Sequence, residues 1–135
     1  MLHRNVKIDL LRRIPLFARC SRRELARLAV TADELDLPEG RALTREGEPG
    51  REFFVLVEGL AVVRRKGRRL NVLSAGDFFG EIALLTERPR TATVTAGTPV
   101  RVLVLARRDF RRLMAEMPSL QAKVLDAVAE RLPDG

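Results

Sequence analysis

The apolar positions of VKIDLLRRIPLF fall at helical spacing up to Pro15, and Ser21 followed three residues later by Glu24 makes a capping box that opens a second helix over SRRELARLAV. The spacing predicts two short helices within residues 1–30. From Thr31 the period changes to two: ADELDLPEG alternates acidic and apolar residues and closes on Pro38-Glu39-Gly40, as a strand closes on a turn. EFFVLVEG, LAVVRRKG, RRLNVLSAGD, TATVTAG and PVRVLVLA follow at similar spacing, rich in β-branched and aromatic residues and punctuated by glycine. Short strands repeated this way imply a sandwich, jelly roll or barrel of about eight segments over residues 31–106. After Ala106 the helical period returns in RRDFRRLMAE. Pro118 then starts a last helix whose Leu120, Val124, Val128 and Leu132 form one stripe, before Pro133-Asp134-Gly135 ends it. The predicted class is α+β, mainly β, with helices over 107–132 closing the chain.

At 135 residues the chain suits one domain, and 46% hydrophobic with 32% charged residues is a globular composition. No apolar run approaches the roughly 20 residues a membrane helix needs, and MLHRNVKIDL has charge mixed into it and no long apolar core, so no signal peptide is expected. These features predict a cytoplasmic protein. One cysteine, Cys20, rules out an internal disulfide, and with one histidine, His3, neither a zinc-ligand set nor a Cys-His pair has support. Nothing pairs a nucleophile with a base, so no catalytic residues and no metal site are expected, and the chain reads as a binding protein rather than an enzyme. The net charge of +7 raises nucleic acid as a partner. However, the arginines are scattered in pairs through every segment, and tyrosine and tryptophan are absent, so a solvated arginine-rich surface is the favoured reading and DNA is disfavoured.

One stretch carries chemistry: FGEIALLTERPRTATV, Phe79 to Val94. Gly80 followed by EIALL reads as a single helical turn inside the strand region. The first turn of a helix offers unpaired N–H groups and the positive end of a dipole to an anion, and glycine lets a ligand approach the backbone. Arg90 adds a planar fork of donors matched to phosphate oxygens, and Thr91 a hydroxyl. An acid beside a phosphate is repelled, so Glu81 makes sense only if it faces hydroxyls such as those of a ribose. Acid for sugar and arginine for phosphate together specify a nucleotide. The competing reading makes Glu81 and Arg90 a buried ion pair that closes a turn, with Thr91 an ordinary strand residue.

The stretch resembles the phosphate-binding cassette of the cyclic nucleotide-binding domain family, which includes catabolite activator proteins, kinase regulatory subunits and cyclic-nucleotide-gated channels. Gly40, the Gly47-Glu48 pair, Phe54-Val55 with Gly59, and Gly76-Asp77 before Phe78 extend the likeness over nearly all the chain. The resemblance implies an eight-stranded jelly-roll barrel with helices at both ends and a 3′,5′-cyclic nucleotide inside, cAMP favoured and cGMP the alternative. It implies that Glu81 accepts from the ribose 2′-hydroxyl beside the Gly80 backbone, that Ala83 gives a backbone N–H to the phosphate, and that Arg90 pairs with an exocyclic phosphate oxygen. Thr91 would add backbone and hydroxyl bonds, and Ile82 and Ala92 would complete the cassette's ligand-facing set. Val63 and Leu73 match the apolar wall of the base pocket, Asn71 is a polar candidate beside them, and Arg131 resembles an arginine near the base. With no aromatic in the last helix, the lid over the base would be aliphatic, such as Leu120, Val124 or Val128, or would come from a partner chain. Phe110, Leu113 or Met114 would form the hinge contact through which α-helical segments 107–132 report occupancy to a protein partner, as a monomer or a weak homodimer through the C-terminal helix. Two alternatives accompany this reading: a degenerate barrel that serves protein interaction without nucleotide, and a fragment of a transcription regulator lacking its DNA-binding domain, since no residues follow for a recognition helix.

Overall fold

The computed structural model describes residues 4–131; His3, Leu132 and the Pro133-Asp134-Gly135 stop lie outside the described residues. The N-terminal helices are α1 (Arg4–Arg12) and α2 (Arg22–Thr31), joined through a 3-10 turn at Pro15–Phe17 that buries Leu16 and Phe17. Both halves of the expected capping box form. The Ser21 hydroxyl accepts from the Glu24 N–H at 3.1 Å and the Glu24 carboxylate from the Ser21 N–H at 2.8 Å. Lys7 ties the two helices together by donating to the Ala29 and Ala32 carbonyls at 2.7 and 2.8 Å, where the end of α2 leaves acceptors free.

Eight strands follow: β1 (Asp33–Leu37), β2 (Ala42–Thr44), β3 (Glu52–Glu58), β4 (Ala61–Arg65), β5 (Arg68–Leu73), β6 (Phe78–Phe79), β7 (Thr93–Ala96) and β8 (Val100–Ala106). They pair antiparallel into two four-stranded sheets, ordered β1-β8-β3-β6 and β2-β7-β4-β5, which is the jelly-roll arrangement. The β4–β5 hairpin turns through Lys66 and Gly67, both at positive φ, the geometry that matches a two-residue turn to strand twist. α3 (Glu81–Thr86) interrupts the strands between β6 and β7, and α4 (Arg107–Glu116) with α5 (Pro118–Arg131) closes the described chain.

Two apolar clusters hold these parts. One fills the space between the sheets with Phe54, Leu56, Ala61, Leu73, Phe79, Val94, Val102 and Val104 among others. The other joins the helices to the outside of the first sheet: Phe53, Val55, Leu103 and Leu105 pack with Phe17, Leu25, Phe110, Met117, Leu120 and Val124. Strands β3 and β8 are therefore buried on both faces, which explains why EFFVLVE and VRVLVLA are near-continuous apolar runs rather than alternating ones. Phe110 anchors α4 by stacking on Phe53 at 4.6 Å between centroids, and truncating it to alanine would cost about 3–5 kcal/mol.

Candidate functional site

The candidate residues come together around one cavity of about 290 Å³, near the lower end of the roughly 300–1,000 Å³ typical of ligand pockets. Gly80, Glu81, Ile82 and Ala83 contribute from the start of α3, and Arg90, Thr91 and Ala92 from the segment entering β7. Val63 comes from β4, and Asn71 and Leu73 from β5, so the expected apolar wall is the inner side of that hairpin. Arg131 reaches the cavity from the last described turn of α5.

Arg90 is 7% exposed, and its guanidinium donates through Nη1 to the Gly80 carbonyl at 2.9 Å and through Nη2 to the Glu52 carbonyl at 2.8 Å. Its main chain is fixed as well: the Arg90 N–H donates to Glu48 O at 2.8 Å and its carbonyl accepts from the Gly47 N–H at 2.9 Å. The Gly47-Glu48 pair of the sequence thus clamps the backbone at Arg90. Burial lowers the guanidinium's pKa from its ordinary value, while Glu52 and Glu81 oppose that shift. Gly80 is at φ +94°, and a Cβ there would lie 2.8 Å from Arg90 Nη1 and 2.9 Å from Glu52 O. Both the dihedral and the space require glycine.

Glu81 is 1% exposed and pairs with Arg131, whose Nη1 donates to the carboxylate at 2.6 Å and to Phe78 O at 2.8 Å. The Arg131 guanidinium also lies over the Phe78 ring, 4.8 Å from its centroid. Desolvation pushes the Glu81 carboxyl above its ordinary value, and Arg131 and Arg90 offset only part of that rise. The ion pair at this turn is therefore Glu81 with Arg131 rather than Glu81 with Arg90, because two of Arg90's donors are committed to carbonyls and the end of α5 reaches across.

The expected aliphatic lid is corrected by the structure. Leu120, Val124 and Val128 are buried against the helix-side cluster, and α5 reaches the cavity instead through Glu130 and Arg131. The stripe repeats every four residues and faces the helices, which turns the polar end of α5 toward the cavity.

Six lining residues were not legible as such: Thr44, Arg65, Leu70, Phe79, Val94 and Glu130. Thr44 accepts from the Val94 N–H at 3.1 Å and donates to Ala92 O at 3.0 Å, yet it lies in a three-residue strand with no readable pattern. Arg65 donates from Nε to the Thr91 carbonyl at 3.2 Å, a contact hidden in one of many arginine pairs. Leu70 and Phe79 line the cavity too, Phe79 while packed in the core between the sheets.

The sequence matches the profile described as "Cyclic nucleotide-binding domain" over residues 34–117. The chain belongs to this family. Among its relatives, a cAMP-dependent protein kinase regulatory subunit of Mycosarcoma maydis is 37% identical over 116 residues, covering 79% of this chain and 22% of that protein. Among solved structures, the regulatory domain of Toxoplasma gondii PKA co-crystallised with cAMP superposes with a TM-score of 0.84 at 29% identity, covering 94% of this chain and 50% of that one. The Thermus thermophilus catabolite activator protein gives a TM-score of 0.75 at 28% identity, covering 87% of this chain and 57% of that one. The chain spans between 22 and 33% of the length of the curated relatives it matches. Among the described residues of the domain, no group of three or more His, Cys, Asp or Glu side chains is placed to hold a metal ion, and no helix is long and apolar enough to cross a membrane.

Proposed function

We propose that this cyclic nucleotide-binding domain takes cAMP, in preference to cGMP, and relays occupancy through α4 and α5. The observation that carries this is the pair of buried charged side chains, Glu81 and Arg90, facing one cavity whose third side is apolar. A cyclic phosphate would lie at Arg90 and the first N–H groups of α3, where charge-assisted bonds are strongest. A ribose hydroxyl would donate to Glu81, and the base would lie along Val63 and Leu73 with Asn71 at its edge. A hydroxyl that engages Glu81 would share the carboxylate whose Oε1 Arg131 holds, and on this reading it draws the carboxylate away, so binding would change what holds the end of α5. The cAMP found with the Toxoplasma regulatory domain supports the choice of ligand.

Calorimetric titration of refolded, nucleotide-stripped protein with cAMP and cGMP tests the binding. Saturable cAMP binding that Arg90→Ala weakens by about 100-fold or more is the expected result. A folded protein that yields no heat with either ligand would sink the proposal and leave a barrel that serves protein interaction. For the relay, hydrogen exchange over residues 107–131 should differ with and without saturating cAMP.

A further inference from the structure

Three consecutive carbonyls at the start of β3 are each taken by an arginine from elsewhere in the chain. Arg107 donates from Nη2 to Gly50 O at 2.7 Å and from its main-chain N–H to Arg51 O at 2.8 Å, and Arg90 donates from Nη2 to Glu52 O at 2.8 Å. This strap is pressed against α3: a Cβ on Gly50 would lie 2.4 Å from the Cβ of Ala83 and 3.2 Å from Cζ of Arg90. Arg107 is also the first residue of α4.

The Nε of Arg107 is the one buried side-chain nitrogen or oxygen without a partner among the described residues. An orphaned buried donor is unfavourable, and an apolar side chain of similar length would fill the space without it. Packing therefore does not explain the guanidinium; what its other donor holds does. We infer that Arg107 is a positioning residue for Arg90, fixing through the Gly50–Glu52 strap the carbonyl that orients the Arg90 guanidinium toward the ligand phosphate. The inference rests on the reading of Arg90 as the phosphate ligand. It places the root of α4 and the phosphate end of the cavity on one strap, a connection separate from the Glu81–Arg131 contact.

The test is stereochemical. Two phosphorothioate analogues of cAMP carry sulfur in place of one or the other exocyclic phosphate oxygen, and an arginine aimed at one oxygen binds them unequally. Both are titrated by calorimetry into the wild type, Arg107→Met and Arg107→Lys, with thermal unfolding of each protein as the folding control. In Arg107→Met, cAMP affinity should fall about tenfold and the ratio of the two analogue affinities should move toward one. Arg107→Lys, whose ammonium can still donate to the Gly50 carbonyl, should keep most of the ratio. Equal weakening of both analogues with the ratio intact would show a merely structural role and overturn the inference, as would a wild-type ratio of one. Should Arg107→Met fail to fold, Arg107→Gln is read by the same ratio. Absence of cAMP binding by the wild type would remove the reading of the site itself, whereas an unchanged ratio with binding intact removes only the role of Arg107.

Discussion

Arg90 and Arg131 line the same cavity and are held in different ways. Arg90 is almost fully buried, two of its donors end on backbone carbonyls, and its own main chain is clamped by Gly47 and Glu48. Arg131 has a side chain 36% exposed, stands on the last described turn of a helix, and is held by Glu81, one carbonyl and the face of Phe78. Moving the first would disturb the barrel. Moving the second breaks the Glu81 contact, one carbonyl bond and a ring contact, and leaves the barrel strands in place. On the proposed reading this divides the work: a fixed arginine recognises the phosphate, and an exchangeable one reports that the ribose has arrived. A ligand shifts such an equilibrium only by its differential affinity for the two states, and on that reading Glu81 is the group whose partner would differ between them.

The comparison breaks most visibly at Glu81. Replacing it with alanine removes the ribose acceptor and releases Arg131 together, so cAMP affinity should fall about 100-fold by calorimetry. Arg131→Ala, by contrast, should change affinity by about threefold or less while removing the dependence of α5 hydrogen exchange on ligand. Equal losses in the two variants would mean that Arg131 recognises the ligand as Arg90 does, and the division between fixed and exchangeable would be wrong.

Gly80 probes the fixed side. Gly80 and Gly40 share nearly the same dihedral, φ +94° and +88°, but a Cβ at Gly40 meets nothing within 4 Å whereas one at Gly80 meets Arg90 and Glu52. Gly40→Ala should therefore cost only the strain of the left-handed backbone, about 1 kcal/mol. Gly80→Ala should cost about 2 kcal/mol or more in urea unfolding, because the arginine or the strap must also shift. Indistinguishable losses would show that Arg90 is looser than its hydrogen bonds imply.

What the sequence disclosed and what it hid follows the same line. Gly80, Glu81, Arg90 and Thr91 are close neighbours in the chain, so residue type and spacing were enough to nominate them as a set. The double burial of β3 and β8 was visible as unbroken apolar runs, whereas β2 and β6, three and two residues long, are too short to show any period. The partner of Glu81 was not readable, because nothing in a sequence with 25 lysines and arginines says which one reaches across from another element. Arg131 entered only through the family resemblance. The stripe Leu120, Val124, Val128 was legible as one apolar face, but its neighbour is the helix-side cluster rather than the base, since periodicity shows that a face is covered and not what covers it. Arg107 and the strap it holds depend on main-chain carbonyls, which leave no trace in residue identity.

The smallest effect, and the one that bears most directly on the exchangeable contact, is the pH dependence that Glu81 contributes. Burial raises its carboxyl pKa in the folded protein above the value of about 4.3 expected when unfolded. Between those two values the folded state holds the proton that the unfolded state has lost, so stability falls as pH rises through the window and is flat on either side. Asp36, lowered by its hydrogen bond to Arg101, acts in the opposite sense and below the usual carboxylate range, so the two contributions separate in pH. The difference in unfolding free energy between wild type and Glu81→Gln, measured by denaturant from about pH 4 upward, should therefore decline with pH, by no more than about 1.4 kcal/mol per unit for one proton. Arg131→Ala removes the cation that partly offsets the burial, which raises the Glu81 pKa further and carries the decline to higher pH. Parallel curves for wild type and Glu81→Gln would mean that Arg131 and Arg90 offset the burial of the carboxylate in full rather than in part. Coincident windows for wild type and Arg131→Ala would mean that Arg131 holds Glu81 too weakly for its release to report anything.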